Sequence, residues 1–282
     1  MADTKKTSEK TNVCDRWNIR HFSASQINMM IQNMPCWIVQ NLYKVKTVPN
    51  LPMVGGTVAE RAIEFGLINS DASLEDCIEV ARKEFNSRTA LMGFSQQAKE
   101  GKLDDIIGYG SARKSYPGMI ATALKALRPY GVPSETQAKI ETWLPGVPVP
   151  IIGYKDFSYD EHGLDVDLKT TGRMPKDMSL SHQLQGAIYW RASNNRSQRF
   201  CYTTKSEARV LELDTYYAEQ AIDRATAAIY TLMHMLERCE AVDDLTKLVI
   251  PNWDDFYWSP TTKAKGMEVW DENYKQALAE FV

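Results

Sequence analysis

A chain of 282 residues with 44% hydrophobic and 24% charged positions is long enough to bury one large core or two small ones. Its formal net charge of -3 argues against a protein coated in positive potential, while leaving room for a local basic groove. The five cysteines, Cys14, Cys36, Cys77, Cys201 and Cys239, show neither C-x-x-C nor paired spacing, so reduced thiols in a cytosolic compartment are expected rather than a disulfide framework or a zinc site.

The opening MADTKKTSEKTNV has no apolar segment of the secretory kind, and no apolar run approaches the ~18 residues that span a bilayer. A soluble, cytoplasmic protein with no membrane partner is expected, and residues 1–15 read as a disordered tail. In HFSASQINMMIQNMPCWIVQ, Ser23 with Gln26 has the spacing of a capping box and Phe22 with Ile27 that of a hydrophobic staple. A helix over 23–33 follows, and a second begins after Pro35, which would sit in its first turn. GGTVAERAIEFGL (55–67) reads as a helix led by two glycines, and 72–92 as another. The weakly periodic, glycine-containing stretch 95–118 reads as a loop around one short helix. From there, 117–131 is a helix entered at Pro117 and stopped by Gly131.

The pattern then changes to strands at 137–144, 149–159 and 163–170, separated by PGVP and DEHG. A helix over 178–194 leads to two strands, QRFCYTT and EARVLEL, around Lys205 and Ser206. A helix over 214–240 and a C-terminal one from Lys265 complete the chain. This order implies an α/β protein, a central mixed β-sheet flanked by helices with a helical N-terminal half. One domain over 16–282 is expected, with a helical part at 16–132, a core at 133–240 and a helical part at 241–282.

The chemistry concentrates in the hairpin 149–170. If Asp160 and Gly163 close its loop, paired positions sum to a constant and Asp156 falls across from Asp167, whereas a glycine bulge would slip this by one. Two facing carboxylates repel unless a hard cation such as Mg²⁺ lies between them. Lys169 shares a strand face with Asp167. On the next helix, His182, Gln185 and Tyr189 share one face. The plain alternative is that Asp165, Asp167 and Lys169 form the wet face of a hairpin, with Glu60 and Glu64 a solvated stripe on their helix. Arg113 and Lys114 in GYGSARKS, and more weakly Lys205, are candidates for gripping a phosphate backbone, against the plain reading of mobile basic loops. Trp37, Tyr43 and Trp143 could stack bases, with core packing the stronger expectation for each.

GYKDF, DVDLKTT and QLQGAIYW together resemble the PD-(D/E)XK nuclease superfamily, in its RecB-like and phage exonuclease branch. That branch reads G-x-x-D, D/E-x-K-T and Q-x-x-x-Y, here Gly153 to Asp156, Asp167 to Thr170, and Gln185 to Tyr189. FSASQINMMIQNMPCWIVQ is similar to the branch's first helix, with Pro35-Cys36 in reversed order. GGTVAERAIE is similar to its G-x-x-x-H-x-x-x-E helix, with Glu60 where histidine is common. The resemblance spans roughly 20–215 and implies a restriction-endonuclease-like core. It implies metal-dependent hydrolysis of phosphodiester bonds in linear DNA from its ends, in recombination or degradation.

On this resemblance Asp156, Asp167, Glu60 and the Leu168 carbonyl hold Mg²⁺ or Mn²⁺. Lys169 positions or activates the attacking water and stabilises developing charge, while Gln185 and Tyr189 hold the substrate strand or Lys169. Some relatives carry an iron–sulfur cluster on one early and three late cysteines. Here no cysteine follows Cys239, IPNWDDFYWSPTTK stands in that place, and no cluster is expected. No Walker A pattern is present, so no motor is expected. The resemblance leaves open an endonuclease on the same core and a non-catalytic DNA-binding protein. It also leaves open a homo-oligomer and loading by a single-strand annealing protein.

Overall fold

The computed structural model describes residues 12–47, 49–93, 102, 106 and 108–280. Helices α1 (Val13–Arg16), α2 (Ala24–Gln32), α3 (Met34–Asn41), α4 (Leu51–Ile68), α5 (Leu74–Leu91) and α6 (Tyr109–Leu127) come first. Strands β1 (Glu135–Thr142), β2 (Ile151–Tyr159) and β3 (Leu164–Thr170) follow, then α7 (Leu180–Ala192), β4 (Ser197–Thr203) and β5 (Ala208–Glu212). Helices α8 (Thr215–Arg238), α9 (Val242–Thr246) and α10 (Pro260–Glu280) end the chain. The five strands form one mixed sheet in sequential order. β2–β3 and β4–β5 are antiparallel, and β3–β4, joined through α7, are parallel. The expected α/β organisation with a helical N-terminal half is observed.

Contacts divide the chain into two compact units. Unit 1 takes the described parts of Met1–Thr47, with Glu141–Ile152 and Ile222–Val282, and unit 2 takes the described parts of Val48–Ile140 with Gly153–Ala221.

In unit 1 the expected tail is ordered from residue 12 onward, while residues 1–11 lie outside the described part. Asn12 caps α1, Cys14 is fully buried, and the Trp17 indole N–H donates to the Leu236 carbonyl at 3.1 Å. A buried thiol and an anchored indole hold a segment whose polar composition suggested disorder. Ser23 caps α2 as expected, accepting from Gln26 N, but the Gln26 side chain completes no box and reaches Asn41 Oδ1 at 3.2 Å instead. The 250–263 segment packs as an aromatic group. Trp253 lies 4.9 Å from Trp258 and 6.1 Å from Trp270, and the Tyr257 carbonyl is 3.3 Å from Cys36 Sγ.

In unit 2, α4, α5 and α6 pack on one sheet face through Val58, Ala62, Phe85 and Ile120, against Phe157, Val166, Leu168 and Cys201. The opposite face is covered by α7, where a β-carbon on Gly186 would stand 2.9 Å from the Phe200 ring. β3 is therefore buried on both faces, and Asp165 and Asp167 keep only 2% and 6% of their surface. This corrects the wet-face alternative: α7 lies over the face that the alternating pattern leaves polar.

Three further expectations are corrected. α4 begins at Leu51 under an Asn50 cap, so Gly55 and Gly56 lie inside it, and Gly56 lets Thr170 approach to 2.7 Å of where its β-carbon would be. Residues 109–118 are helix, not loop. α6 runs through Pro117 because Tyr109, Ala112, Tyr116, Ile120 and Ala123 form one buried stripe, while 95–101, 103–105 and 107 fall outside the described residues. The helix ends at Leu127, and Gly131, with φ +82°, stops the short 3-10 turn Arg128–Tyr130 that follows. Among the described residues no helix is long and apolar enough to cross a membrane.

Candidate functional site

The hairpin register is as expected, without a slip. Phe157 pairs with Val166, Ser158 with Asp165 and Tyr159 with Leu164. The loop is longer than two residues, however, with a 3-10 turn at Asp160–His162 and Gly163 at φ +60°. One step beyond Phe157, the Asp156 carboxylate itself accepts the Leu168 N–H at 2.7 Å. A side chain thus takes the amide of the residue that separates Asp167 from Lys169.

Asp167 is held on two sides. Lys169 Nζ lies 2.5 and 3.1 Å from its two oxygens, and Gln185 Nε2 donates to Oδ1 at 2.7 Å. Gln185 can reach because α7 crosses over β3 on its way to β4. One turn on, Tyr189 donates to the Tyr154 carbonyl at 3.1 Å, and its ring lies over Gly153, where a β-carbon would meet Cε1 at 2.6 Å. The glycine three residues before Asp156 is thus a steric requirement of the Tyr189 ring.

Sequence reasoning missed Gln137. This β1 residue has φ +49°, a left-handed conformation uncommon outside glycine. From there its amide donates to Glu60 Oε1 at 3.0 Å and to Asp156 Oδ1 at 3.2 Å, tying a helix carboxylate to a strand carboxylate. Glu64, one turn after Glu60, is no solvated residue either: it accepts from Thr136 Oγ1 at 2.7 Å and pairs with Arg61.

The electrostatics describe three acids with too little countercharge. Burial, then the charges of Asp167 and Glu60, push the Asp156 carboxyl well above the usual carboxylate range. Burial and Asp167 push Glu60 up, against the pull of Lys169 and Gln137. Burial raises Asp167, opposed by Lys169 and by the bonds from Lys169 and Gln185. When ionised these three carboxylates face the single ammonium of Lys169. Burial together with Lys169 lowers His182 to about 4, so this imidazole is neutral, bonded to the Tyr202 hydroxyl at 2.7 Å and stacked on Phe200. Lys169 Nζ itself lies 5.6 Å from the centre of the Phe200 ring.

A second, separate buried ion cluster lies two residues before Asp167. Lys155 Nζ is 3.1 Å and Arg196 Nε 3.5 Å from Asp165 Oδ1, and Gln198 donates to the other oxygen at 3.0 Å.

Glu60, Asp156, Asp167, Leu168, Lys169, Gln185 and Tyr189 are thus brought together within unit 2. Among the described residues, no three His, Cys, Asp or Glu side chains are grouped so as to hold a metal ion, and Lys169 and Gln137 engage the carboxylate oxygens. Arg113 and Lys114 are exposed on α6, and Lys205 is exposed in the β4–β5 turn. A β-carbon on Gly118 would stand 2.3 Å from the Lys205 carbonyl oxygen, so the helix backbone abuts that turn, and Lys114 lies one helical turn before Gly118. Of the aromatic candidates Trp37 is core, whereas Trp143 is 53% exposed, contrary to expectation, and the half-buried Tyr43 bonds Asp243.

No family model matches the sequence, and no curated protein matches it. Among solved structures, the crystal structure of SSO0001 is similar over 62% of this chain and 84% of its own, at 18% identity and a TM-score of 0.29. A likeness that weak carries no argument about fold or site.

Proposed function

We propose that unit 2 is a PD-(D/E)XK-type deoxyribonuclease that hydrolyses phosphodiester bonds with a divalent cation, acting on DNA ends. The observation that supports this best is the arrangement around Asp167. A buried carboxylate is shared by a lysine two residues on and a glutamine from the covering helix, and its charge raises the proton affinity of both Asp156 and Glu60.

The donor set suits a hard cation: the oxygens are carboxylates, buried together and short of positive charge, and Mg²⁺ or Mn²⁺ takes such ligands. Asp156, Asp167 and Glu60 would hold it, with the Leu168 carbonyl as a further oxygen, once Lys169 and Gln137 release the carboxylate oxygens they now engage. When bound, the cation lowers the pKa of water and offsets charge building on the phosphate. Lys169, freed from Asp167, donates to a non-bridging phosphate oxygen and stabilises its growing negative charge. Gln185 keeps Asp167 in one rotamer, and Tyr189, pinned to the Tyr154 carbonyl, fixes the strand that carries Asp156. Arg113, Lys114 and Lys205, all exposed, would grip the nucleic-acid backbone in a salt-dependent way. The preference for ends rests on the resemblance to phage exonucleases. Five buried, free thiols support a reducing, cytoplasmic setting.

The test is digestion of linear and covalently closed DNA, single- and double-stranded, with Mg²⁺, with Mn²⁺ and with EDTA, beside Asp167→Ala. Metal-dependent loss of linear DNA alone, reduced at least 10³-fold in the variant, is the expected result. Cutting of closed circles would replace the exonuclease by an endonuclease. No hydrolysis with either metal would remove the enzymatic reading.

A further inference from the structure

Gln137 pays a conformational cost that its neighbours on β1 do not. At φ +49° its backbone is left-handed, a conformation that glycine and asparagine adopt readily and glutamine does not. Among the described residues of unit 2, the other non-glycine positions with positive φ are both asparagines, Asn194 and Asn195. Such strain persists where surrounding contacts hold it, and it concentrates at sites with a function. Here the contacts come from the side chain. Nε2 donates to Glu60 Oε1 at 3.0 Å and to Asp156 Oδ1 at 3.2 Å, so one amide nitrogen bridges a carboxylate of α4 and a carboxylate of β2.

These two distances have a second meaning. Mg²⁺ takes an octahedron of oxygens at about 2.0–2.1 Å, in which neighbouring ligand atoms stand about 3 Å apart. An atom 3.0 and 3.2 Å from two carboxylate oxygens therefore has the spacing of a third ligand on one face of that octahedron. The nitrogen faces the carboxylates because an amide oxygen would repel them unless a cation lay between. The two ends of a glutamine amide have nearly the same shape, so a half-turn about the last side-chain bond exchanges Nε2 for Oε1. Gln137 is exposed, which leaves its amide room to turn. Both hydrogen bonds of the side chain among the described residues are made through Nε2, so Oε1 is left to serve as a ligand. His, Cys, Asp and Glu side chains do not by themselves group to hold a metal ion among the described residues, and a cation here calls for an oxygen donor of another kind.

We infer that Gln137 is a further ligand of the divalent cation, giving its amide oxygen to the metal beside Glu60 and Asp156. The inference rests on the metal-dependent reading of unit 2 and names a residue that the resemblance does not supply. One side chain then serves the site twice: its nitrogen end keeps two like charges together, and its oxygen end joins them around a cation. A neutral carbonyl is a hard ligand that adds no further negative charge beside Glu60, Asp156 and Asp167.

The experiment is calorimetric titration of the full chain, stripped of metal, with MnCl₂, on the parent, Gln137→Met and Gln137→Glu. Both variants lose the two hydrogen bonds, and only the glutamate keeps an oxygen at the end of the side chain. The parent should bind Mn²⁺ saturably. Gln137→Met should bind it about tenfold more weakly and Gln137→Glu at least as tightly as the parent, with circular dichroism spectra unchanged in both. Unchanged or tighter binding by Gln137→Met overturns the inference, since the amide is then a bystander or a competitor of the cation. Weaker binding by Gln137→Glu than by the parent overturns it too. Either result leaves the metal site of unit 2 in place, whereas no saturable binding by the parent overturns the hydrolytic reading and the inference with it.

Discussion

Gly153→Ala tests the packing on which the site rests. The added methyl carbon would lie 2.6 Å from Tyr189 Cε1, 2.8 Å from its hydroxyl oxygen and 3.0 Å from Cζ. Ordinary carbon contacts begin near ~3.5 Å, so the ring must retreat by about 1 Å. It has little room, since Tyr189 is 7% exposed and its hydroxyl is bonded to the Tyr154 carbonyl. Overpacking of this kind costs about 1–3 kcal/mol, and a lost hydrogen bond about 1 kcal/mol more. Replacing a strand glycine by alanine returns roughly 0.5–1 kcal/mol of chain entropy. The net expectation is a loss of about 2–3 kcal/mol, or roughly 5–10 °C in Tm. Thermal unfolding in EDTA, followed by circular dichroism, measures it. Tyr189→Ala is itself destabilising, but in that background Gly153→Ala should become neutral, because the methyl group then enters space the ring vacated. A Tm for Gly153→Ala within 1 °C of the parent would refute the reasoning, as would an equal penalty in both backgrounds.

Lys155→Met should cost about 2 kcal/mol, because the buried Asp165 carboxylate loses one cation but keeps Arg196 Nε at 3.5 Å, and Asp165→Asn added to it should restore at least half; urea unfolding decides, with a single-variant loss below about 0.5 kcal/mol counting against it. Because Glu60, Asp156 and Asp167 all have raised folded-state pKa values, their contribution to metal-free stability is present below the ordinary carboxylate range and is lost as pH rises through the folded values. Melting in EDTA should therefore show Tm falling from pH 5 to 8, and Asp156→Asn should flatten that slope and stabilise the protein at pH 8 by up to about 1 kcal/mol. A flat parent profile would contradict this. His182 has the opposite sign: with its pKa lowered to about 4, its contribution is present above the unfolded value near ~6.5 and lost as pH falls toward 4. Its ring carbon resonances should stay unmoved from pH 8 to 5, and a midpoint near 6.5 would show that it is not buried in this way.

The parts legible in the sequence are those governed by local periodicity and turn chemistry. The alternation of Leu164, Val166 and Leu168 gave β3, and the sum rule through Asp160 and Gly163 gave the hairpin register although the loop conformation differs. The helical spacing from Gln185 to Tyr189 placed both on the side of α7 that meets β2 and β3. The parts that were not legible depend on residues far apart in the chain. Gln137 reads as an ordinary strand glutamine in ETQAKIET, because nothing near it announces a left-handed φ or partners 77 and 19 residues away. The burial of Asp165 and Asp167 depends on α7, which periodicity predicts but does not aim. The start of α6 carried a signal that was outweighed: the apolar stripe from Tyr109 to Ala123 continues through Pro117, while Gly108 and Gly110 suggested a loop.

The placement of the indole rings has a practical consequence. Trp17, Trp37, Trp143, Trp253, Trp258 and Trp270 all belong to unit 1, and Trp190 alone belongs to unit 2, beside Tyr189. Intrinsic fluorescence of this chain is therefore a report on unit 1, dominated by its aromatic group around Trp253. A denaturation curve followed by emission could reach its plateau while the carboxylates of unit 2 are still assembled, or stay level after they have dispersed. Substituting phenylalanine at the six unit 1 positions would leave Trp190 as a lone optical probe one residue from the ring that fixes the candidate site.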